Sequence, residues 1–246
     1  MEDSPARSEH GPTEPLEHHH RNVQGGTARA GVFGVSDGLV SNIALVLGVA
    51  GASPAPSVVR LAGIVGLIGG AFSMAAGEYV SMKAQAELLE AELEMERIEI
   101  ARRPDVEQRE LAQIYRNRGV EAGTADRLAA EMMSDPELAL ETHAREELGI
   151  DPSELGQPIP AALTSFVTFA LGAIVPLVPW FFVSGTKAIV MSLVLGAIGA
   201  IAIGSALARF TGRSAATSAI RQLVIASLAA GVPYVIGSLL GTTSPV

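Results

Sequence analysis

Apolar positions gather into five long blocks, separated by short polar breaks and one long polar interval. The blocks run over Ala28–Ala52, Val58–Val80, Pro160–Val183, Thr186–Ala208 and Ala215–Leu240. A hydrocarbon core about 30 Å thick is crossed by about 20 helical residues, so each block predicts one membrane-spanning helix. The interval from Met82 to Glu154 has the opposite character. It is charged on nearly every turn and rich in Ala, Leu and Glu, which predicts several amphipathic helices in water. Residues 1–26 are polar and dotted with Pro and Gly, without apolar periodicity, and read as a disordered tail. No apolar run follows a basic start, so the tail is not read as a cleavable signal peptide. The chain divides accordingly into the tail (1–26), spans 1 and 2 (27–82), a cytosolic helical domain (83–157) and spans 3 to 5 (158–242). The fold class expected is an all-α membrane protein with five transmembrane helices and a helical insert between spans 2 and 3.

Composition sharpens this picture. Charged residues make up 17% of the chain, against about 25% in an average soluble protein. None of the 26 acids lies beyond Glu154, so the last three blocks are solvated by lipid rather than water. A soluble enzyme is not expected. The absence of Cys removes disulfides, thiolate zinc sites and cysteine nucleophiles. A net charge of −9 leaves no basic footprint for nucleic acid. Of the 17 Lys and Arg residues, all but Arg60 and Lys187 fall on the side of the membrane that holds the N-terminus and the insert. The positive-inside rule places that side in the cytosol and the C-terminus opposite.

Small residues suggest how the spans meet. Gly63, Gly66, Gly69, Gly70 and Gly77 in span 2, and Gly196, Gly199 and Gly204 in span 4, offer faces for close helix contact. Pro158, Pro160, Pro176, Pro179 and Pro233 mark span ends or kinks.

Two carboxylates interrupt the apolar blocks, and a charge within the bilayer is costly enough to suggest a function. Asp37 sits about 13 Å above the cytosolic end of span 1, and Met74 on the descending span 2 sits about 12 Å above the same side. A hard carboxylate and a soft thioether thus share a depth on adjacent helices. Asn42 adds an amide oxygen, five positions on from Asp37 and not quite on its face. Glu78, one turn from Met74 toward the cytosol, is placed to act as a ligand at the mouth. The plainer readings are a hydrogen-bonded Asp37, a lipid-facing Met74 and an interfacial Glu78.

The insert carries a second constellation. Glu92, Glu96 and Glu99 share one helical face, Pro104 breaks the helix, and Glu107 and Glu110 follow three residues apart on the next. His143 and Glu147 are again one turn apart, with Met132 and Met133 upstream. Carboxylates, an imidazole and thioethers suit Fe²⁺, Mn²⁺ or Zn²⁺ better than an anion. The competing reading is a solvated acidic face paired with Arg97, Arg102 and Arg103. No Glu-x-x-His pair occurs in the insert, which argues against a di-iron oxidase of the ferritin type. His18, His19 and His20 read either as a metal-collecting tail or as a bystander.

The segments Ser36-Asp37-Gly38-Leu39-Val40-Ser41-Asn42, Met74-Ala75-Ala76-Gly77-Glu78-Tyr79 and Arg103-Pro104-Asp105-Val106-Glu107-Gln108-Arg109-Glu110 carry a family likeness. With five spans and a charged insert after the second, the chain resembles the vacuolar iron transporter family, as a bacterial-type member. The resemblance implies a homodimer with a path between the two span-1 helices, exchanging cytosolic Fe²⁺, and Mn²⁺, for protons. It implies a membrane metal site at Asp37 and Met74 and a cytosolic carboxylate cluster at Glu96, Glu99, Glu107, Glu110 and Glu147. His143 and Ala144 stand where eukaryotic members have two Met residues, and Gly26 and Gly66 stand where they have acids. No resident cofactor is implied. Fe²⁺ and Mn²⁺ are substrates, and Zn²⁺ is an ion the cytosolic sites accept. The membrane would be the inner membrane of a bacterium or the vacuolar membrane of a eukaryote. The rival expectation is a metal-binding sensor or scaffold without transport; bond-making catalysis is not expected.

Overall fold

A computed structural model of the chain describes residues 26–152 and 156–242. The expected tail, with His18, His19 and His20, lies outside the described residues except for Gly26, and so does Glu154. Among the described residues there is no strand. The long helices are α1 (Gly26–Gly51), α2 (Pro56–Arg102), α6 (Pro158–Leu177), α7 (Thr186–Thr211) and α8 (Ala215–Thr242), and the shorter α3 (Pro104–Asn117), α4 (Ala122–Met132) and α5 (Pro136–Glu146) form the insert. Five helices are long and apolar enough to cross a membrane, and the molecule is an all-α membrane protein.

The helix α2 departs from expectation. Hydropathy places the end of span 2 at Val80 and starts new helices near Met82, but one helix of 47 residues continues through that border. Its sequence changes from apolar to charged there, yet Ala, Leu, Glu, Gln, Lys and Met are all strong helix formers. Solvent changes along this helix while the backbone does not. At 1.5 Å per residue it is about 70 Å long, much more than a bilayer core requires. Pro104 ends it as expected: lacking an N–H, proline cannot continue the ladder but fits the first turn of α3.

The helix α1 lies at the centre, packed between α6 and α8 with α2 beside it. It approaches α6 so closely that a Cβ on Gly38 would collide with the Phe169 carbonyl and one on Gly172 with the Val35 carbonyl, and α8 equally closely, where one on Gly237 would meet the Gly48 carbonyl. The sequence reading put close-contact faces on spans 2 and 4 and did not name these seams. In α2, Gly69 and Gly77 face open space, while Gly63 receives the side chains of Leu177 and Val46. In α7, Gly204 does meet the α8 backbone, at Ser218 and Ala219.

The prolines fall as expected. Pro158 opens α6, Pro176 lies inside it, Pro179 sits in the short 3-10 turn Val178–Phe181 that follows, and Pro233 lies inside α8. Near Pro176, Trp180 Nε1 donates to Ser192 Oγ at 3.1 Å, and Ser192 donates to the Pro176 carbonyl at 2.7 Å. Polar groups buried among apolar helices are thereby satisfied, as a lipid-facing bundle requires. Phe33, Leu61, Phe72, Leu171, Val194 and Leu239 point outward, each more than half exposed. Such a surface would aggregate in water and is ordinary against acyl chains.

The insert folds around the distal end of α2. Ile100, Ala139 and Leu140 form one small core with Leu93 and Met133, and Leu111, Ala112 and Ala129 another with Tyr115 and Met132. The two methionines considered as ligands are therefore core packing. Glu121 caps α4 and Asp135 caps α5, each accepting two backbone N–H bonds.

Candidate functional site

Helices α1, α2 and α6 form an open pocket of about 280 Å³ on the flank of the spans, lined by Asp37, Ser41, Asn42, Leu45, Gly66, Gly70, Ser73, Met74 and Phe169. Asp37 and Met74 meet there, as their matched depth anticipates. Asn42 meets them too, although its spacing from Asp37 suggested another face. The pocket lies between helices, so residues on adjoining flanks of α1 can both reach it. Ser41, one turn from Asp37, donates to Asp37 Oδ1 at 2.8 Å. Sequence reasoning overlooked Ser41 and Ser73; the i,i+4 spacing from Asp37 was a usable signal for the first. Phe169 arrives from a distant helix with no local signal. Glu78 does not line the pocket. It accepts an ion pair from Arg29 at 3.3 Å, at the end of the spans nearer the insert.

In the insert, Glu96, His143 and Glu147 bring one ligand atom each within 4.8 Å of one another. His143 is fully buried, held by α5 against α2. Its Nδ1 lies 3.0 Å from Glu96 Oε1 and 3.3 Å from Glu147 Oε2. With Nδ1 facing two carboxylates, Nε2 is left without a partner in the interior. Glu96 and Glu107 are also buried, whereas Glu99, Glu110 and Glu147 stand at the rim.

The charges converge. Burial, then Glu147, Glu107, Glu99 and Glu110, push the Glu96 carboxyl up from 4.5 to about 7. Burial and the neighbouring Glu110 raise Glu107 as well, against a lowering by His143. The other members of the expected cytosolic cluster thus act electrostatically on buried Glu96 and Glu107. The solvated-face reading fits poorly: Arg97 pairs with Glu137 at 3.7 Å, away from the cluster, and two of the acids are buried. A cation, or a proton in its place, is the chemistry such a set of carboxylates can accept.

Spans around a carboxylate and thioether pocket, with an acidic helical annex, define a class of integral membrane protein built to handle cations. The chain belongs to the VIT family, a transporter family whose model matches residues 28–238. It is 32% identical over 221 residues to Vacuolar iron transporter 1 of Oryza sativa subsp. japonica, covering 88% of each chain. It is 35% identical over 192 residues to the Vacuolar iron transporter of Acanthamoeba castellanii, covering 74% of this chain and 70% of the relative. Vacuolar iron transporter 1 of Arabidopsis thaliana is 28% identical over 228 residues. The bacterial-type placement is not borne out, since these relatives are plant and protist proteins.

Proposed function

We propose that this protein carries Fe²⁺, with Mn²⁺ as a second substrate, out of the cytosol in exchange for protons. The observation that carries this reading is the meeting of Asp37 and Met74 in one open pocket on the flank of the spans. A carboxylate at that depth is costly and is retained for function. A thioether beside it favours a transition ion over Mg²⁺ or Ca²⁺. A sensor or scaffold would have no use for this pocket. The relatives' names support iron as the cargo.

The insert faces the cytosol and concentrates ions at Glu96, Glu99, Glu107, Glu110, His143 and Glu147, where Zn²⁺ also binds. Ions pass the Arg29–Glu78 pair at the mouth and reach Asp37, Met74 and Asn42. Asp37 is exposed on the flank of the single chain, which supports a homodimer whose two α1 helices enclose the path. Ligating groups must be deprotonated to bind, so a lower pH on the far side releases the ion and returns a proton. That far side is a vacuolar lumen, in keeping with the relatives' names.

The test is Fe²⁺ uptake by proteoliposomes with an imposed pH gradient. Wild type should accumulate Fe²⁺ and discharge the gradient as it does so, whereas Asp37→Ala should do neither. Uptake by Asp37→Ala at the wild-type rate would overturn the assignment.

A further inference from the structure

One polar atom at the membrane pocket has its chemistry unanswered. Asn42 is 2% exposed, and its Nδ2 donates to the Ala173 carbonyl of α6 at 2.6 Å. That contact dictates which way round the amide sits: a backbone carbonyl only accepts, so the NH₂ end must face it. Oδ1 is therefore turned the other way, where it has no hydrogen-bond partner. It points toward Gly66, since a Cβ on Gly66 would come 3.0 Å from it. Both residues line the pocket that holds Asp37 and Met74. The flexible tip of Leu45 fills the space beside Gly66 and can swing aside. An acceptor buried without a donor destabilises the fold unless something positive approaches it.

We propose that Asn42 is a third ligand of the transported ion, offering its side-chain carbonyl oxygen to an ion held by Asp37 and Met74, and that glycine at position 66 keeps this oxygen reachable. This rests on the transport reading and deepens it. The ligand set becomes one carboxylate oxygen, one amide oxygen and one thioether sulfur. Asp37 brings the single formal negative charge that each chain offers to this set. Two oxygens against one sulfur also favour Mn²⁺ and Fe²⁺ over softer ions such as Cd²⁺.

The experiment measures Mn²⁺ and Cd²⁺ uptake by the full-length chain in proteoliposomes, with thermal unfolding of each variant in detergent. Asn42→Ala removes both the oxygen and the donor to Ala173. Asn42→Asp keeps an oxygen and loses the donor. Gly66→Ala keeps the amide and covers its oxygen. Asn42→Ala and Gly66→Ala should raise the half-saturating Mn²⁺ concentration about tenfold or more and shift preference toward Cd²⁺. Asn42→Asp should unfold at lower temperature yet keep near wild-type Mn²⁺ affinity. If Asn42→Ala leaves half-saturation and the Mn²⁺/Cd²⁺ ratio unchanged, or Asn42→Asp loses affinity along with it, Asn42 is a tether between α1 and α6 and not a ligand. Gly66→Ala with unchanged affinity overturns the role given to position 66. An inactive Asp37→Ala beside a silent Asn42→Ala overturns this inference alone, whereas an active Asp37→Ala overturns the transport reading beneath it.

Discussion

The two candidate sites are built on opposite plans. In the insert, buried Glu96 and His143 converge with Glu147 at the rim from two helices of one chain, and three further carboxylates crowd their field. In the spans, Asp37 is the one carboxylate among the described residues lining the pocket, and its neighbours are neutral. Crowded carboxylates in a poorly solvated place cannot all stay ionised without a cation. Such a site holds what it binds, and protons replace the ion when the ion is absent. A lone carboxylate with neutral companions binds less tightly and releases more easily. The contrast is the one expected between a place where ions are collected and a place through which they move.

Losing Asp37 offers the largest effect. Asp37→Ala should abolish flux while Zn²⁺ or Mn²⁺ titration of the full-length protein still finds the insert intact. Replacing Glu96, Glu99, Glu107 and Glu110 by Ala should do the reverse, removing insert binding in calorimetry while slowing flux without abolishing it. A quadruple variant as inactive as Asp37→Ala would erase the distinction between collecting and passing.

A smaller change is expected at His143. His143→Ala should weaken insert binding by about tenfold or more, on the scale of lost metal-supporting groups. His143→Met should keep binding and move preference toward softer ions. A His143→Ala titration curve that overlays wild type would remove the imidazole from the site.

The pH dependence follows from Glu96, whose carboxyl is raised from 4.5 to about 7. Between those values the folded, ion-free insert holds a proton that the unfolded chain has given up. Its stability is therefore present at the acid end of this window and falls as pH rises through about 7. A bound ion reverses the trend: it needs the carboxylate, so binding weakens as pH drops below about 7 and a proton is released on binding. Hydrogen exchange in the insert at pH 5.5 and 8, with and without Mn²⁺, checks both signs. Greater protection at pH 8 than at pH 5.5 without the ion would contradict the burial of Glu96.

The smallest effect belongs to Arg29, whose side chain is more than half exposed in its pair with Glu78. Arg29→Gln should change stability by about 1 kcal/mol at most, because solvent screens such a pair. A larger shift in thermal unfolding would mean that the mouth is tied more firmly than its exposure suggests.

Much of this was legible in the sequence because lipid imposes a harsh filter. The predicted spans Ala28–Ala52 and Thr186–Ala208 differ by a few residues from α1 and α7, and Pro104 breaks the chain where expected. Asp37 and Met74 could be matched by counting rise along two antiparallel helices. Other features leave no local trace. Hydropathy reports solvent, so it hid the continuity of α2 across Met82. Glycine counts report where helices can approach and not where they do, so the α1–α6 seam at Gly38 and Gly172 went unread. Met132 and Met133 have side chains that serve equally as ligands or as filler, and only the packing of α3, α4 and α5 with the end of α2 decides between these. The inward turn of Asn42 depends on Ala173, 131 residues away.

The unbroken course of α2 has a mechanical consequence. Glu96 and Met74 belong to one rod, 22 residues and about 33 Å apart, with no glycine between them nearer the insert than Gly77 and no proline. A twist or tilt imposed at the acidic end is not absorbed by a flexible joint and reaches the thioether as torque. If ions load the cluster as proposed, the angle at which Met74 meets Asp37 would change with that loading. One residue added within the shaft would leave both ends folded and turn one against the other by about 100°, decoupling the crank from the axle.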